Sequence, residues 1–101
     1  MIADPAERIA GVVLAHPAVH GLHAGPFGVI ASYLPGRRVE GVRIAEDGST
    51  VELAIVAEFG QPIPALAQQL RAAVRDVAGD VRVDVTIVDL VQAKPTVEDS
   101  G

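Results

Sequence analysis

The clearest pattern in the chain is a pair of segments in which apolar and polar residues alternate. The first, "RRVEGVRIAE", sets Val39, Val42 and Ile44 between charged neighbours, and the second, "STVELAIVAEF", follows the pair Asp47-Gly48. A period of two predicts strands with one buried face, and an Asp-Gly pair between two such runs predicts a hairpin turn. Gly41, within the first segment, predicts a β-bulge. The apolar face of the second strand is formed by Val51, Leu53, Ile55, Ala57 and Phe59.

Two other segments have the period of amphipathic helices. In "ADPAERIAGVVLAH", Asp4 is a candidate N-cap, Pro5 suits the first helical position and Pro17 follows the end of the helix. In "QPIPALAQQLRAAVRDVAG", prolines mark the start and Gly79 marks the end. The apolar stripe of this second helix comprises Ile63, Leu66, Leu70, Ala73, Val74 and Val77.

Three further strands complete the prediction. "AVHGLHAG" and "VIASYL" are bounded by Pro and Gly, with Pro35-Gly36 as a turn, and "VRVDVTIVDLV" alternates again. The predicted order is α-β-β-β-β-α-β, an α+β fold with one mixed β-sheet of about five strands and two helices packed on one face. Val56, Val88 and Leu90 fall on the opposite face, which is therefore only partly polar. Residues 1–91 are predicted to form one domain, and residues 92–101 a flexible C-terminal tail.

Composition narrows the range of functions. The 101 residues carry a net charge of −5 and include no cysteine, so disulfides, thiol catalysis and thiolate zinc sites are excluded. The negative charge opposes phosphate backbones, so no nucleic-acid partner is expected. No apolar run reaches the ~20 residues of a membrane span, which argues against direct membrane insertion. Because "MIADPAER" opens with acids and a proline, unlike a secretory signal, a cytoplasmic protein is expected.

The histidines are the first candidates for chemistry. His16, His20 and His23 are spaced by four and three residues, which would align three zinc ligands on a continuous helix. Pro17 and Gly21 interrupt any such helix, so polar histidines at element boundaries are the favoured interpretation. The serines lack the G-x-S-x-G context of a nucleophile. We therefore predict no enzyme, and no catalytic, metal-binding or cofactor-binding residues.

The segment "HAGPFGVIASYLPGRRVEG" is the best candidate for a binding surface, because it holds two of the three aromatic residues and an adjacent pair of arginines. Phe27 or Tyr33 is predicted to close the sheet edge, with Arg37 and Arg38 exposed beside it. These four residues are the predicted partner-binding set, since exposed guanidinium groups recognise carboxylates and steer acidic partners. For the two arginines themselves, the favoured interpretation is that they are solvated and paired with Glu40 or Glu58, and contact with a partner is the second interpretation.

The stretch Gly25-Pro26-Phe27-Gly28 also matches the G-x-x-G loop with which KH domains clamp nucleic acid. The basic neighbours and the helical setting of that clamp are missing from the sequence pattern. A KH-like module that binds nucleic acid or a small ligand is the alternative function.

The order of these motifs resembles the bacterial alkaline-shock, envelope-stress-response family. The resemblance rests on "VHGLHAG", "VEGVRI" and the long stretch "VELAIVAEFGQPIPALAQQLRAAVRDVAGDVRVDVTIVDL", and it covers about residues 6–91. The segment "HAGPFGVIASYLPGRR" and the lack of long charged tails resemble a compact actinobacterial branch of the family. The resemblance implies a small non-enzymatic cytoplasmic protein that forms homo-oligomers. For some members it also implies a membrane-anchored partner protein and a role in cell-envelope homeostasis.

Overall fold

The computed structural model of the protein describes residues 4–92. It contains two helices and six strands, and it confirms the predicted α+β class and the order of the elements. The predicted third strand is divided into two, β3 and β4. Residues 93–101 of the predicted tail lie outside the described residues. The elements in chain order are α1 (Pro5–Leu14), β1 (Val19–Leu22), β2 (Ala31–Leu34), β3 (Arg37–Glu40), β4 (Val42–Ile44), β5 (Thr50–Glu58), α2 (Ile63–Ala78) and β6 (Arg82–Val91).

The larger sheet is built around β5. On one side β5 pairs in parallel with β6, as the β-α-β crossover through α2 predicts. On its other side β5 pairs antiparallel with two short strands in succession, β4 at residues 51–53 and β1 at residues 55–57. The smaller sheet is the antiparallel hairpin of β2 and β3, which turns at Pro35-Gly36 as predicted.

Gly41 explains why the structure has two sheets where one was predicted. Its φ of +84° lies in the left-handed region, so the chain changes direction between β3 and β4. Its N–H donates to the Ile30 carbonyl at 2.7 Å, and its own carbonyl accepts the Ala54 N–H at 2.9 Å. The hairpin therefore leaves the main sheet at this residue. The predicted single sheet is corrected to a mixed four-stranded sheet and a separate hairpin.

Both helices pack on one face of the four-stranded sheet, as predicted. α1 begins where the Asp4 carboxylate accepts the Ala6 N–H at 2.8 Å, and α2 ends before Gly79, whose φ is +88°. Val85 and Ile87 of β6 pack half-buried against the core. The largest fully buried side chains are Ile9, Val13, Val42, Val51, Leu53, Ile55, Leu66, Leu70 and Val74.

A bulge in β6 changes which residues face the helices. Ile55 pairs with Ile87, whereas the next residue of β5, Val56, pairs with Asp89, so Val88 is an extra residue in the ladder. Leu90 consequently pairs with Ala57, a buried residue on the helix-packed face. The prediction that Leu90 lies on the opposite face is therefore wrong, because one inserted residue exchanges the two faces of a strand.

Candidate interaction surface

The two most exposed large apolar side chains in the described residues, Phe27 and Tyr33, lie between β1 and the end of β2, and Val29 is a third exposed apolar residue of this segment. Phe27 is 86% exposed, Tyr33 is 72% exposed and Val29 is 55% exposed. Burying such side chains is favourable by roughly 1.5–3 kcal/mol each, so a cluster of them is a candidate contact surface. We call Phe27, Val29, Tyr33 and Arg38 the aromatic patch.

Arg38 links the two parts of the aromatic patch. It pairs directly with Tyr33 across the hairpin, and its guanidinium carbon lies 5.6 Å from the centre of the Tyr33 ring. Its Nη2 donates to the carbonyl of Gly28 at 3.3 Å, and its Nη1 lies 3.7 Å from the Glu40 carboxylate. One side chain thus connects the loop that carries Phe27 to the strand that carries Tyr33. This stacking geometry suits a guanidinium, which attracts the face of an aromatic ring.

Arg37 lies on the other face of the hairpin. Adjacent residues of a strand point in opposite directions, and the Arg37 guanidinium pairs with the Glu7 carboxylate of α1 at 2.5 Å. The structure therefore separates the two predicted arginines instead of combining them into one positive surface. The pairing of Arg38 with Glu40 was predicted; the pairing of Arg37 with Glu7 was not, because local patterns do not place a hairpin against a helix.

The predicted role of the aromatic residues at the sheet edge is wrong. Phe27 and Tyr33 are too exposed to close an edge, since Tyr33 is on the outward face of a hairpin that forms its own sheet. Sequence reasoning also missed Val29 as a member of the patch. Val29 was placed in the predicted strand "VIASYL", whereas β2 begins at Ala31 and Val29 lies in the loop before it.

Two histidines hold turns together through their Nδ1 atoms. His16 Nδ1 accepts the Ala18 N–H at 3.0 Å, while its Nε2 lies 2.5 Å from the side-chain oxygen of Gln69 on α2. His23 Nδ1 accepts the Gly25 N–H at 3.1 Å. Within residues 4–92 no group of three or more histidine, aspartate or glutamate side chains is arranged to hold a metal ion. The contacts of His16 and His23 are those of residues that organise turns.

Asp47 organises the hairpin turn between β4 and β5. Its Oδ1 accepts a hydrogen bond from the Ser49 hydroxyl at 2.7 Å and another from the Ser49 N–H at 3.0 Å. The hydroxyl bond, followed by the backbone bond, lowers the pKa of the Asp47 carboxyl below its ordinary value. The Asp-Gly signal in the sequence therefore marks a turn and not a site.

A shallow groove of about 340 Å³ lies on the sheet face opposite the helices. Its apolar lining includes Val56, Val88 and Pro26, and its polar rim includes His23 and Asp89. The groove lies between the bulge at residue 88 and the loop after β1, which contributes His23 and Pro26. The partial signal in the sequence was the pair Val56 and Val88, which made the predicted face opposite the helices only partly polar.

Comparison with protein-family models, curated proteins and solved structures found no match. In the part of the chain that the structure describes, no helix is long and apolar enough to cross a membrane. The fold and the surface define a small α+β domain that presents an ordered aromatic patch.

Proposed function

We propose that the protein is a non-enzymatic interaction protein of the cell-envelope stress response, which self-associates and docks a protein partner. The observation that supports docking is the aromatic patch, with Phe27 and Tyr33 more exposed than any other large apolar side chain in residues 4–92. Aromatic residues and arginine are the types enriched at the centres of protein interfaces. The link to envelope stress rests on the family resemblance of residues 6–91.

Arg38 adds two properties to the aromatic patch. By contacting both Tyr33 and the Gly28 carbonyl, it restricts the patch before a partner arrives, which reduces the entropy lost on binding. Arg38 also supplies a positive charge in an acidic protein. A partner that complements the aromatic patch therefore has an apolar segment with a carboxylate beside it. In the proposed setting the partner is a membrane-anchored protein, and the chain itself stays in the cytoplasm.

The test of this function is genetic and biochemical in the native cell. A strain that lacks the chain is challenged with envelope stress and complemented with the parent, with F27A/Y33A, or with L14A, which shortens an exposed apolar side chain on α1. The parent and L14A are expected to restore growth and to capture the same proteins from cell extract. F27A/Y33A is expected to lose both while keeping its thermal midpoint. Full rescue and capture by F27A/Y33A would contradict the proposal.

A second candidate, a KH-like module, is favoured by one observation. The G-x-x-G loop at residues 25–28 contributes Pro26 to the groove, so the loop and the concave surface are contiguous. A nucleic-acid role requires that single-stranded RNA is retained at low salt and released as salt rises, since counterion release weakens such binding. A ligand role requires a small molecule that raises the thermal midpoint and loses this effect in a Val88→Lys variant.

A further inference from the structure

The outer edge of β6 is the basis of a second inference. β6 pairs only with β5 in the described residues, and its ladder begins where the Arg82 N–H donates to the Ser49 carbonyl at 3.0 Å. Backbone groups alternate in direction along a strand, so those of Arg82, Asp84 and Thr86 point towards β5. The backbone groups of Val83, Val85 and Ile87 therefore point outwards.

Two arginines of α2 already cover the first part of this edge. The Nε of Arg71 donates to the Val83 carbonyl at 3.0 Å, and the Nε of Arg75 donates to the Val81 carbonyl at 2.9 Å. Within residues 4–92 no comparable side chain reaches Val85 or Ile87, whose outward N–H and carbonyl groups have no protein partner. We call these groups the β6 window. Unpaired groups on a strand edge are a template for another strand.

We propose that the β6 window pairs antiparallel with the β6 window of a second copy, about a two-fold axis at Thr86. This register sets Val85 opposite Ile87 of the second copy, and each such pair exchanges both of its N–H···O bonds. It uses all the outward groups of the window and leaves the bond from Arg71 to Val83 intact. The inference rests on the self-association included in the proposed function, and it states where that association occurs.

The side chains at the edge complement themselves in this register. On the sheet face opposite the helices, Arg82 lies near Asp89 of the second copy, and the exposed side chains of Thr86 meet at the axis. The Arg82 side chain is 75% exposed and pairs with Asp84 at 3.0 Å, so it is available to a second carboxylate. Opposite charges and paired threonines on neighbouring strands stabilise a sheet. The Val88–Asp89 bulge of the second copy lies opposite Asp84, so Arg82, which already pairs with Asp84, balances both carboxylates.

On the helix-packed face the window is continuous with apolar surface. Val85 and Ile87 are half-buried there, and Ile63 and Leu90 are each 37% exposed at the same end of the sheet. Pairing of two copies joins the two four-stranded sheets into one and buries this surface. The aromatic patch is carried by the hairpin and not by β6, so a dimer formed in this way presents two patches and docks a clustered partner with added avidity.

The first experiment uses charge at the proposed axis. T86K and T86E each place like charges against each other across the axis, and A72K adds the charge of T86K at an exposed position of α2 as a control. Sedimentation of the full chain is expected to show a dimer for the parent and A72K. Each Thr86 variant alone is expected to dissociate about tenfold more readily, and an equimolar mixture of T86K and T86E is expected to recover the dimer.

The second experiment uses the absence of cysteine from the chain. Directly opposed residues at such an axis have Cβ atoms close enough for a disulfide, so T86C is expected to cross-link under mild oxidation, while A72C on the exposed side of α2 is not. A monomeric parent, dimers that ignore both Thr86 charges, or equal cross-linking of A72C and T86C would each overturn the inference. T86K leaves the aromatic patch unchanged, so this variant is expected to capture the partner protein even when it no longer dimerises. Measuring capture by T86K therefore separates a failure of the β6 dimer from a failure of the proposed docking.

Discussion

At Gly41, three segments of the chain come together. It follows the hairpin, opens β4 and stands opposite Ala54 of β5, beside the end of β1. A Cβ at this position would lie 2.7 Å from the Cβ of Leu22 and 2.8 Å from the Ala54 carbonyl oxygen. Two properties of glycine are therefore used at once, its freedom at positive φ and its lack of a side chain.

The substitution Gly41→Ala is expected to destabilise the fold by about 2–4 kcal/mol, from backbone strain at positive φ together with the steric conflict. Gly48→Ala is the matched control, because Gly48 has a φ of +76° but no atom within 4 Å of an added Cβ. The control is expected to cost about 1–2 kcal/mol from the backbone alone. Chemical denaturation of both variants measures the difference. Equal losses of stability in the two variants would show that the segments around Gly41 move apart to accommodate the added methyl group.

Among the elements, those with a strong local pattern were predicted and those set by tertiary contacts were not. The Asp47-Gly48 turn and the span of α2 could be read from turn residues, prolines and periodicity. The division at Gly41 was visible only as a bulge, because a glycine does not reveal whether its φ bends a strand or ends it. The bulge at Val88 has no marker in a run of alternating β-branched residues, so the positions of Leu90 and the groove could not be derived.

The candidate surface was predicted in composition but not in geometry. Phe27, Tyr33 and Arg38 were selected because they are unusual in an aliphatic, acidic chain, and the structure groups them through Arg38. Arg37 was selected for its adjacency to Arg38, yet strand alternation turns it towards Glu7. Which face of a hairpin meets a helix depends on contacts distant in sequence, and one-dimensional patterns do not contain them.

The packing of α2 gives the prediction at the level of elements. Leu70 is fully buried between α2 and the sheet, so Leu70→Ala is expected to lower the free energy of unfolding by about 2–5 kcal/mol through lost burial and the cavity left behind. Leu14→Ala is the control, since Leu14 is 49% exposed, and a change within about 0.5 kcal/mol is expected there. The denaturation midpoints of the two variants are compared with that of the parent. A Leu70 variant as stable as the parent would mean that α2 does not turn Leu70 towards the core.

At the scale of the molecule, most of the exposed large apolar side chains among residues 4–92 fall in two regions with separate proposed roles, and Leu14 on α1 belongs to neither. The hairpin and its preceding loop carry Phe27, Val29 and Tyr33, whereas the end of the larger sheet carries Phe59, Ile63 and Leu90. The first region has an ordered cation and suits a partner, and the second adjoins the β6 window and suits another copy. Because the regions are on different elements, docking and self-association can be altered independently by substitution.

Charge reversal at both predicted arginines tests docking at this scale. R37E/R38E is expected to weaken capture of the native partner by about tenfold or less, ~1.4 kcal/mol, with a loss that shrinks as salt rises. R38E alone is expected to account for the effect, since Arg37 pairs with Glu7 away from the patch and its exposed ion pair contributes at most about 1 kcal/mol to stability. R43E, which breaks the exposed pair of Arg43 with Glu52, is the control for charge. Partner capture is measured at two ionic strengths. If the parent and R37E/R38E capture the partner equally well at both, the two arginines are ordinary solvated residues, and docking depends on Phe27 and Tyr33 alone.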